Sequence, residues 1–251
     1  MGIANTFDNK SEEIIIPSVF APKIDGFPEI AIAAFRQQIV DTALEMYGSD
    51  TILSNVRGGG TTPIYELKYN NKRFALCFAG VGGPVAVTRL EQVISRGAKK
   101  ILYFGSCGVL DKGIEAGNLI VPTSAYRDEG TSYHYAPASD YIEIRTASRI
   151  SEIMNEINIP YVCGKTWTTD APFRETRDKM ERLKKDGCIA VEMECASLMA
   201  AGHFRSADIY QFLYAADNLD SKIWDARILG NEPKSGDEQY LRIAMEVASR
   251  I

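Results

Sequence analysis

The chain has 251 residues, with 28 lysines and arginines against 33 aspartates and glutamates, which gives a formal net charge of −5. No basic run and no interleaving of aromatic with basic residues is present, so no nucleic-acid partner is expected. No apolar stretch approaches the length of a membrane span and no signal peptide opens the chain, so no membrane association is expected. The five cysteines form no C-x-x-C pair, which favours reduced thiols and predicts a cytoplasmic location.

The first 28 residues are rich in proline and are predicted to form an N-terminal arm lying over the fold. From residue 29 onward, apolar strand patterns alternate with helical patterns, without a repeat, linker or low-complexity segment. Residues 29–251 are therefore predicted to form one α/β domain built around a mixed β-sheet.

Two glycine-rich segments follow predicted strands. Residues 80–84 precede a predicted helix at 85–96, and residues 105–108 (Gly-Ser-Cys-Gly) are predicted to form a loop after the strand 100–104. Backbone N–H groups of such a loop can bind an anion at a helix N-terminus, although a tight turn that requires positive φ explains the first loop equally well. Val85 stands where a dinucleotide fingerprint needs glycine, so that motif is excluded.

The middle of the chain is predicted from periodicity and polarity. Residues 126–135 are dense in donors and aromatics and are predicted to be a polar loop that contacts a ligand or a subunit. Residues 140–157 are predicted to be helical and 161–168 to form a strand. The two histidines, His134 and His203, are far apart in sequence, so no metal site is expected.

Residues 191–204 are predicted to form a buried helix with two acidic residues at its start. Glu192 and Glu194 flank Met193, and small apolar residues follow. Carboxylates at the mouth of a buried helix are costly unless something binds them. They could accept hydrogen bonds from the vicinal hydroxyls of a ribose, or they could be a capping acid and a salt-bridged acid.

Asp217 follows a fully apolar strand predicted at 209–216. Apolar surroundings raise the pKa of a carboxyl group and suit it to general acid catalysis. The alternative interpretation is an aspartate in a turn at the end of the strand.

Five motifs occur in the order found in the nucleoside phosphorylase family, which the chain resembles over about residues 29–250. They are Gly82-Gly83-Pro84, Gly105-Ser106-Cys107-Gly108, Arg127-Asp128-Glu129-Gly130, Glu192-Met193-Glu194 and Ala216-Asp217-Asn218. The family includes purine and uridine phosphorylases and related methylthioadenosine nucleosidases. The resemblance implies an α/β fold with a central mixed sheet, partly barrel-like and flanked by helices, and cleavage of a ribosyl N-glycosidic bond.

The resemblance also implies roles for individual residues. Glu194 would bind the ribose 2′- and 3′-hydroxyls, Met193 would pack under the sugar, and Glu192 would lie near the base or sugar. Asp217 would serve the purine N7, and Phe173 resembles the base-stacking aromatic of the family. The alternative for Phe173 is a loop aromatic packed on the core.

The phosphate site departs from the pattern of the family. Phosphate-using relatives carry an arginine after the first strand and another at the position of Tyr103. Here Ser106, Gly82 and Arg57 remain as phosphate-binding candidates, and Arg57 resembles an arginine lent by a neighbouring subunit. Arg36, Arg89 or Arg127 could substitute, and the sequence gives no role for His134. The water-activating acid of the hydrolytic relatives is also missing, because glutamines stand in its place.

The sequence thus predicts a phosphorylase that converts a purine nucleoside, or uridine, and phosphate into free base and ribose 1-phosphate. Inorganic phosphate is a co-substrate, and no cofactor or metal is expected. A hydrolytic nucleosidase and a nucleoside-binding protein with lost catalysis are the alternatives. The resemblance further implies a homo-oligomer, a dimer or a hexamer.

The shared arginine yields a test. Mixing Arg57→Ala subunits with Glu194→Gln subunits should restore part of the activity, because some hybrid sites would contain both intact residues. The activity of the mixture is compared with that of each variant alone. A fully active monomer in sedimentation would contradict the shared site.

Overall fold

The computed structural model describes residues 2–49, 52–57 and 61–251. Within these ranges it has ten β-strands and seven α-helices. The strands are β1 (Ile30–Ala34), β2 (Ile52–Arg57), β3 (Thr61–Tyr69), β4 (Lys72–Phe78), β5 (Lys100–Val109), β6 (Leu119–Asp128), β7 (Tyr141–Glu143), β8 (Tyr161–Thr169), β9 (Cys188–Glu192) and β10 (Asp208–Asn218). The helices are α1 (Pro17–Phe20), α2 (Gln37–Tyr47), α3 (Gly83–Arg96), α4 (Ala147–Glu156), α5 (Arg177–Lys185), α6 (Cys195–Phe204) and α7 (Lys234–Ala248).

Five strands close into a barrel in the order β5, β9, β8, β6, β10 and back to β5. β5 and β10 run parallel and pair along their whole length. From β5 the sheet continues outward through β1, β4, β3 and β2. Parallel and antiparallel pairs both occur, so the predicted α/β fold with a mixed, partly barrel-like sheet flanked by helices is confirmed.

The central strands β5 and β10 are mostly apolar and buried along nearly their whole length, because both of their faces are covered. Every residue of β10 after Asp208 is buried, and β5 is buried except at Lys100 and Ser106. Such continuous apolar runs are typical of parallel strands that helices cover. The carboxyl ends of β5 and β10 therefore lie at the same edge of the sheet, where a ligand crevice is expected.

The helix predicted at 191–204 begins later than expected. Val191 pairs with Gly108, so residues 188–192 form strand β9, and α6 starts at Cys195. α6 is buried on almost all sides until Gly202. A short apolar strand leading into a buried helix has no helical periodicity of its own, which is why the two were predicted as one element.

Three further predictions are wrong in their boundaries. Residues 105–108 lie within β5, where they pair with β10 and β9. Residues 126–128 continue β6 instead of beginning a loop. The helix predicted at 140–157 is the short strand β7 followed by α4, because 141–143 pair with β6.

Residues 2–28 lie against the body of the protein. The Ser95 hydroxyl of α3 donates a hydrogen bond to the carbonyl of Ala21 at 2.7 Å, and the Phe7 ring meets that of Phe204 edge to face. The boundary at residue 28 stays a prediction. None of the helices in the described residues has the length and apolar character needed to cross a membrane.

The close packing of α6 on β10 depends on one glycine. A Cβ atom at Gly202 would collide with Cγ1 of Ile209. Gly202→Ala should therefore lower the free energy of unfolding by about 1–3 kcal/mol, as overpacking of a core does. Urea unfolding measures the change.

Gly236→Ala in α7 is the matched control, because a Cβ atom there would be 3.6 Å from its nearest neighbour, Tyr240. This control should be neutral or stabilising by about 0.4–1 kcal/mol. Equal destabilisation by the two variants would contradict the packing argument.

Candidate active site

A cavity of about 620 Å³ opens beside the carboxyl ends of β5, β9 and β10. It brings together predicted residues that are far apart in the chain. They are Ser106, Phe173, Glu192, Met193, Glu194 and Asp217. Their roles stay predictions, but their common placement makes this cavity the candidate site.

Glu194 lies at the N-terminus of α6 and is 5% exposed. Its Oε1 accepts a hydrogen bond from the backbone N–H of Gly82 at 2.5 Å. Burial, followed by the nearby Glu192 carboxyl, raises the pKa of Glu194 to about 8, although the Gly82 amide opposes the shift. The Gly82 N–H donates to Glu194 in this structure, and its role in binding phosphate stays a prediction.

Glu192 ends β9 and binds the start of α6. Its Oε2 accepts the backbone N–H groups of Glu194 and Cys195 at 2.7 and 2.6 Å, and its Oε1 accepts the Thr168 hydroxyl at 2.6 Å. Burial raises its pKa to about 7. The capping alternative therefore describes Glu192 well, and its side chain fixes the position of Glu194.

Asp217 lies near the end of β10 and is 7% exposed. Its Oδ2 accepts the indole N–H of Trp224 at 2.7 Å. Burial raises the pKa of Asp217, and the Trp224 hydrogen bond lowers it in part. Its surroundings thus favour the protonated form of the carboxyl group, as general acid catalysis requires.

Glu175 and Trp224 line the same cavity but were not predicted as site residues. Burial, together with the nearby Asp217 carboxyl, raises the pKa of Glu175 to about 7. Glu175 stands in a charge-rich segment and Trp224 in a stretch without periodicity. The one available signal was that each lies within eight residues of a predicted site residue.

The mouth of the cavity is aromatic. Phe173 is 99% exposed, so the alternative of a loop aromatic packed on the core is wrong. Trp224 is 58% exposed, and Met193 is half-buried on the cavity wall. An exposed Phe173 at the rim is free to stack on a planar ligand.

Tyr103 stands where the phosphate-using relatives are expected to carry an arginine, and Phe35 lies in the region after β1 where they are expected to carry another. Phe35, directly after β1, lines the cavity and stacks on Tyr103, with ring centroids 5.7 Å apart and planes inclined by 23°. The Phe35 ring also lies against the backbone of Gly105, where a Cβ atom would be 2.7 Å from Cδ2. Of the phosphate-binding candidates, Ser106 lies on the cavity wall.

The arginines considered as substitutes make other contacts. Arg36 pairs with Glu232 and Asp237 at 3.0 and 3.2 Å. Arg127 donates to Ser132 and to the carbonyl of Pro137 at 2.8 and 2.6 Å. Neither is part of the cavity wall.

Arg89 donates to the Phe78 carbonyl at 3.0 Å and lies beneath Gly80, outside the cavity wall. His134 is exposed in a short 3-10 helix. Arg57 ends β2, and its side chain lies outside the described residues. The cavity's own arginine is Arg177, which donates to the Ser221 carbonyl at 2.8 Å.

The raised pKa of Glu194 predicts a pH-dependent stability. Because the folded protein holds this proton more tightly than the unfolded chain, the free energy of unfolding should fall as pH rises from about 4.5 to about 8. In Glu194→Gln the slope should be shallower by up to about 1.4 kcal/mol per pH unit. Urea unfolding at several pH values measures it, with exposed Glu115→Gln as the control; equal slopes in all three proteins would contradict the shift.

Comparison with known proteins agrees with this geometry. A family model described as the Phosphorylase superfamily matches residues 29–248. The DeoD-type purine nucleoside phosphorylase of Brevibacillus brevis is 27% identical over 242 residues, which span 87% of this chain and 98% of that protein. The chain spans 60% of an uncharacterised protein of Acanthamoeba polyphaga mimivirus and 58% of the guanosine phosphorylase of Halorubrum lacusprofundi, with 28% and 26% identity.

Two solved structures share the fold. The uridine phosphorylase from Vibrio fischeri has a TM-score of 0.74 at 18% identity and covers 92% of this chain and 95% of its own. The AMP nucleosidase from Bacteroides thetaiotaomicron has a TM-score of 0.71 at 20% identity, with 89% and 88% covered. These matches confirm the resemblance to nucleoside phosphorylases. The chain belongs to the Phosphorylase superfamily.

Proposed function

We propose that this enzyme cleaves the N-glycosidic bond of a purine nucleoside with phosphate, releasing the free base and ribose 1-phosphate. The observation that carries the proposal is that Glu194 and Asp217 line one cavity, each as a buried carboxyl group with a raised pKa. A protein that only binds nucleosides has no need of a buried acid beside the base, so loss of catalysis is disfavoured.

Glu194 serves the sugar. Its carboxylate is buried beside the glycine loop and can accept hydrogen bonds from the two ribose hydroxyls. Charge-assisted hydrogen bonds of this kind are stronger than neutral ones.

Asp217 serves the base. As the bond between C1′ and the base nitrogen breaks, its electron pair moves into the purine ring, and Asp217 gives its proton to the ring nitrogen N7. Phe173 stacks on the base from the rim. Glu175 lies beside Asp217 and, with a pKa of about 7, presents a second carboxyl group to the polar edge of the purine.

Phosphate attacks C1′ from the side of Ser106. The proposed ligands are the Ser106 hydroxyl, the Gly82 N–H, and Arg57 of a neighbouring subunit in a homo-oligomer. A dianion needs several charge-assisted donors, each contributing about 1.5–3 kcal/mol. We propose a cytoplasmic salvage role for the reaction.

Hydrolysis is the second candidate, and the Phe35–Tyr103 stack favours it. The two arginines expected at Tyr103 and after β1 do not line the cavity, and their loss would weaken phosphate binding by roughly two to four powers of ten. Water, however, needs a general base near C1′, and the position after β1 offers none, since Gln37 and Gln38 stand there. An essential base is harder to replace than one of several cations, so phosphate is preferred.

The identity of the product tests the proposal. With phosphate supplied, inosine, guanosine or adenosine should yield free base and ribose 1-phosphate at a rate that rises with phosphate concentration. Uridine is assayed beside them, because pyrimidine specificity is the nearest alternative. Free ribose, formed at a rate independent of phosphate, would establish hydrolysis instead.

The variant Asp217→Asn tests the proposed general acid in the same assay. It should lower kcat by roughly 10²–10⁴-fold, as expected when a general acid is removed. Full activity of this variant on natural purine nucleosides would overturn the role given to Asp217.

A further inference from the structure

The segment after β10 covers the cavity. Residues 219–229, here named the cover segment, contribute Leu219, Trp224 and Leu229 to the cavity wall. Asp225 pairs through its backbone with Asn218, and Arg227 donates to the Ile114 carbonyl at 2.7 Å. The cover segment is therefore anchored at several points, with Trp224 held beside Asp217.

The indole of Trp224 occupies one oxygen of Asp217. An indole N–H can only donate, so Oδ2 must act as the acceptor in the 2.7 Å hydrogen bond. The other oxygen, Oδ1, lies 3.1 Å from the place of a Cβ atom on Gly108, and both residues line the cavity. A proton on the neutral acid is therefore favoured on Oδ1.

We propose that Trp224 is a positioning residue that orients Asp217, so that Oδ1 carries the proton to the base while the indole holds Oδ2. The inference rests on the proposed function. It adds a specific partner for the general acid, supplied by the cover segment.

One proton moves in this step, from Asp217 to the base. The Oδ1–H bond breaks and a new N–H bond forms on the base. The electron pair of the C1′–N bond enters the purine ring, and C1′ bonds to an oxygen of the attacking phosphate. Asp217 is left as a carboxylate, and the Trp224 N–H remains on Oδ2 throughout. A hydrogen bond to the charged form stabilises the carboxylate as it develops.

Other charges also face Asp217. The Glu175 carboxyl group and the Cys107 thiol of β5 are each close enough to Asp217 to interact with it. On the cover segment, Arg227 lowers the pKa of Asp217 and Asp225 raises it. Burial is the largest cause of the raised pKa and the Trp224 hydrogen bond the largest that opposes it.

The first test compares three variants by the pH dependence of kcat. Trp224→Phe keeps an aromatic ring but loses the N–H, so the pKa of Asp217 should rise and the alkaline limb should shift to higher pH by about one unit. Misorientation of the acid should lower kcat about tenfold, with a smaller change in KM. Trp224→Gln, which restores an N–H donor, should recover part of both effects.

Ile223→Ala is the matched control, because Ile223 is the adjacent residue, 83% exposed and outside the cavity wall. It should leave the profile unchanged. A Trp224→Phe profile equal to that of the wild type would overturn the inference. A higher kcat in Trp224→Phe would also overturn it, because the indole would then restrain the acid.

The second test needs no substrate. The chain has two tryptophans, and the other one, Trp167, is fully buried and donates to Asp128 at 2.9 Å. The emission of Trp224, taken as the difference between wild type and Trp224→Phe, should titrate with Asp217, and this titration should vanish in Asp217→Asn.

A Trp224 emission that titrates identically in Asp217→Asn would overturn the contact. If the wild type cleaved no nucleoside, the proposed function would be wrong. The fluorescence titration would still test the contact between Trp224 and Asp217. The two failures are therefore distinguishable.

Discussion

Closure of the barrel between β5 and β10 is the constraint on which the candidate site depends. The two strands pair in register from their first residues to Ala215, where a bulge shifts the pairing so that Asp217 lies opposite Gly108. A bulge re-aims the side chains that follow it. Without this shift, Asp217 would not share one end of the cavity with Gly108 and the Ser106 wall.

The two buried glutamates at the start of α6 bind different partners. Glu192 satisfies the backbone N–H groups that α6 leaves without partners, and its bonds to threonine hydroxyls keep it in place. Glu194 is thereby left to face the glycine loop. The site therefore has one carboxyl group bonded to the start of α6 and to a threonine hydroxyl, and another bonded to the glycine loop.

The sequence could predict the fold class and the meeting of Glu194 with Asp217. Each acid adjoins a long apolar run, and a buried run must end at the edge of a sheet. It could not locate the end of β9, because a short buried strand and a buried helix have the same composition. Sequence reasoning also missed that residues 105–108 continue β5. Glycine and serine usually indicate a turn, but a strand of a barrel can contain glycine where a neighbouring ring packs closely against its backbone.

Trp224 and Glu175 were beyond sequence reasoning for another reason. Both lie in irregular segments, where no periodicity links a residue to a face, and only tertiary contacts bring them to Asp217. For the arginines, by contrast, the sequence shows a suitable residue type but not the position of the side chain. Arg36 and Arg127 are suitable in type, but their partners come from distant or irregular segments and direct them elsewhere.

The packing of Phe35 on Gly105 links two positions that are distant in sequence. Because the ring lies where any side chain at 105 would stand, a larger residue at 105 would force the Phe35 ring, which lines the cavity, to move. A small side chain at 35 would instead leave the ring of Tyr103 without its stacking partner. The two positions can therefore change only together, so an engineered anion pocket at this end has to begin with a paired substitution.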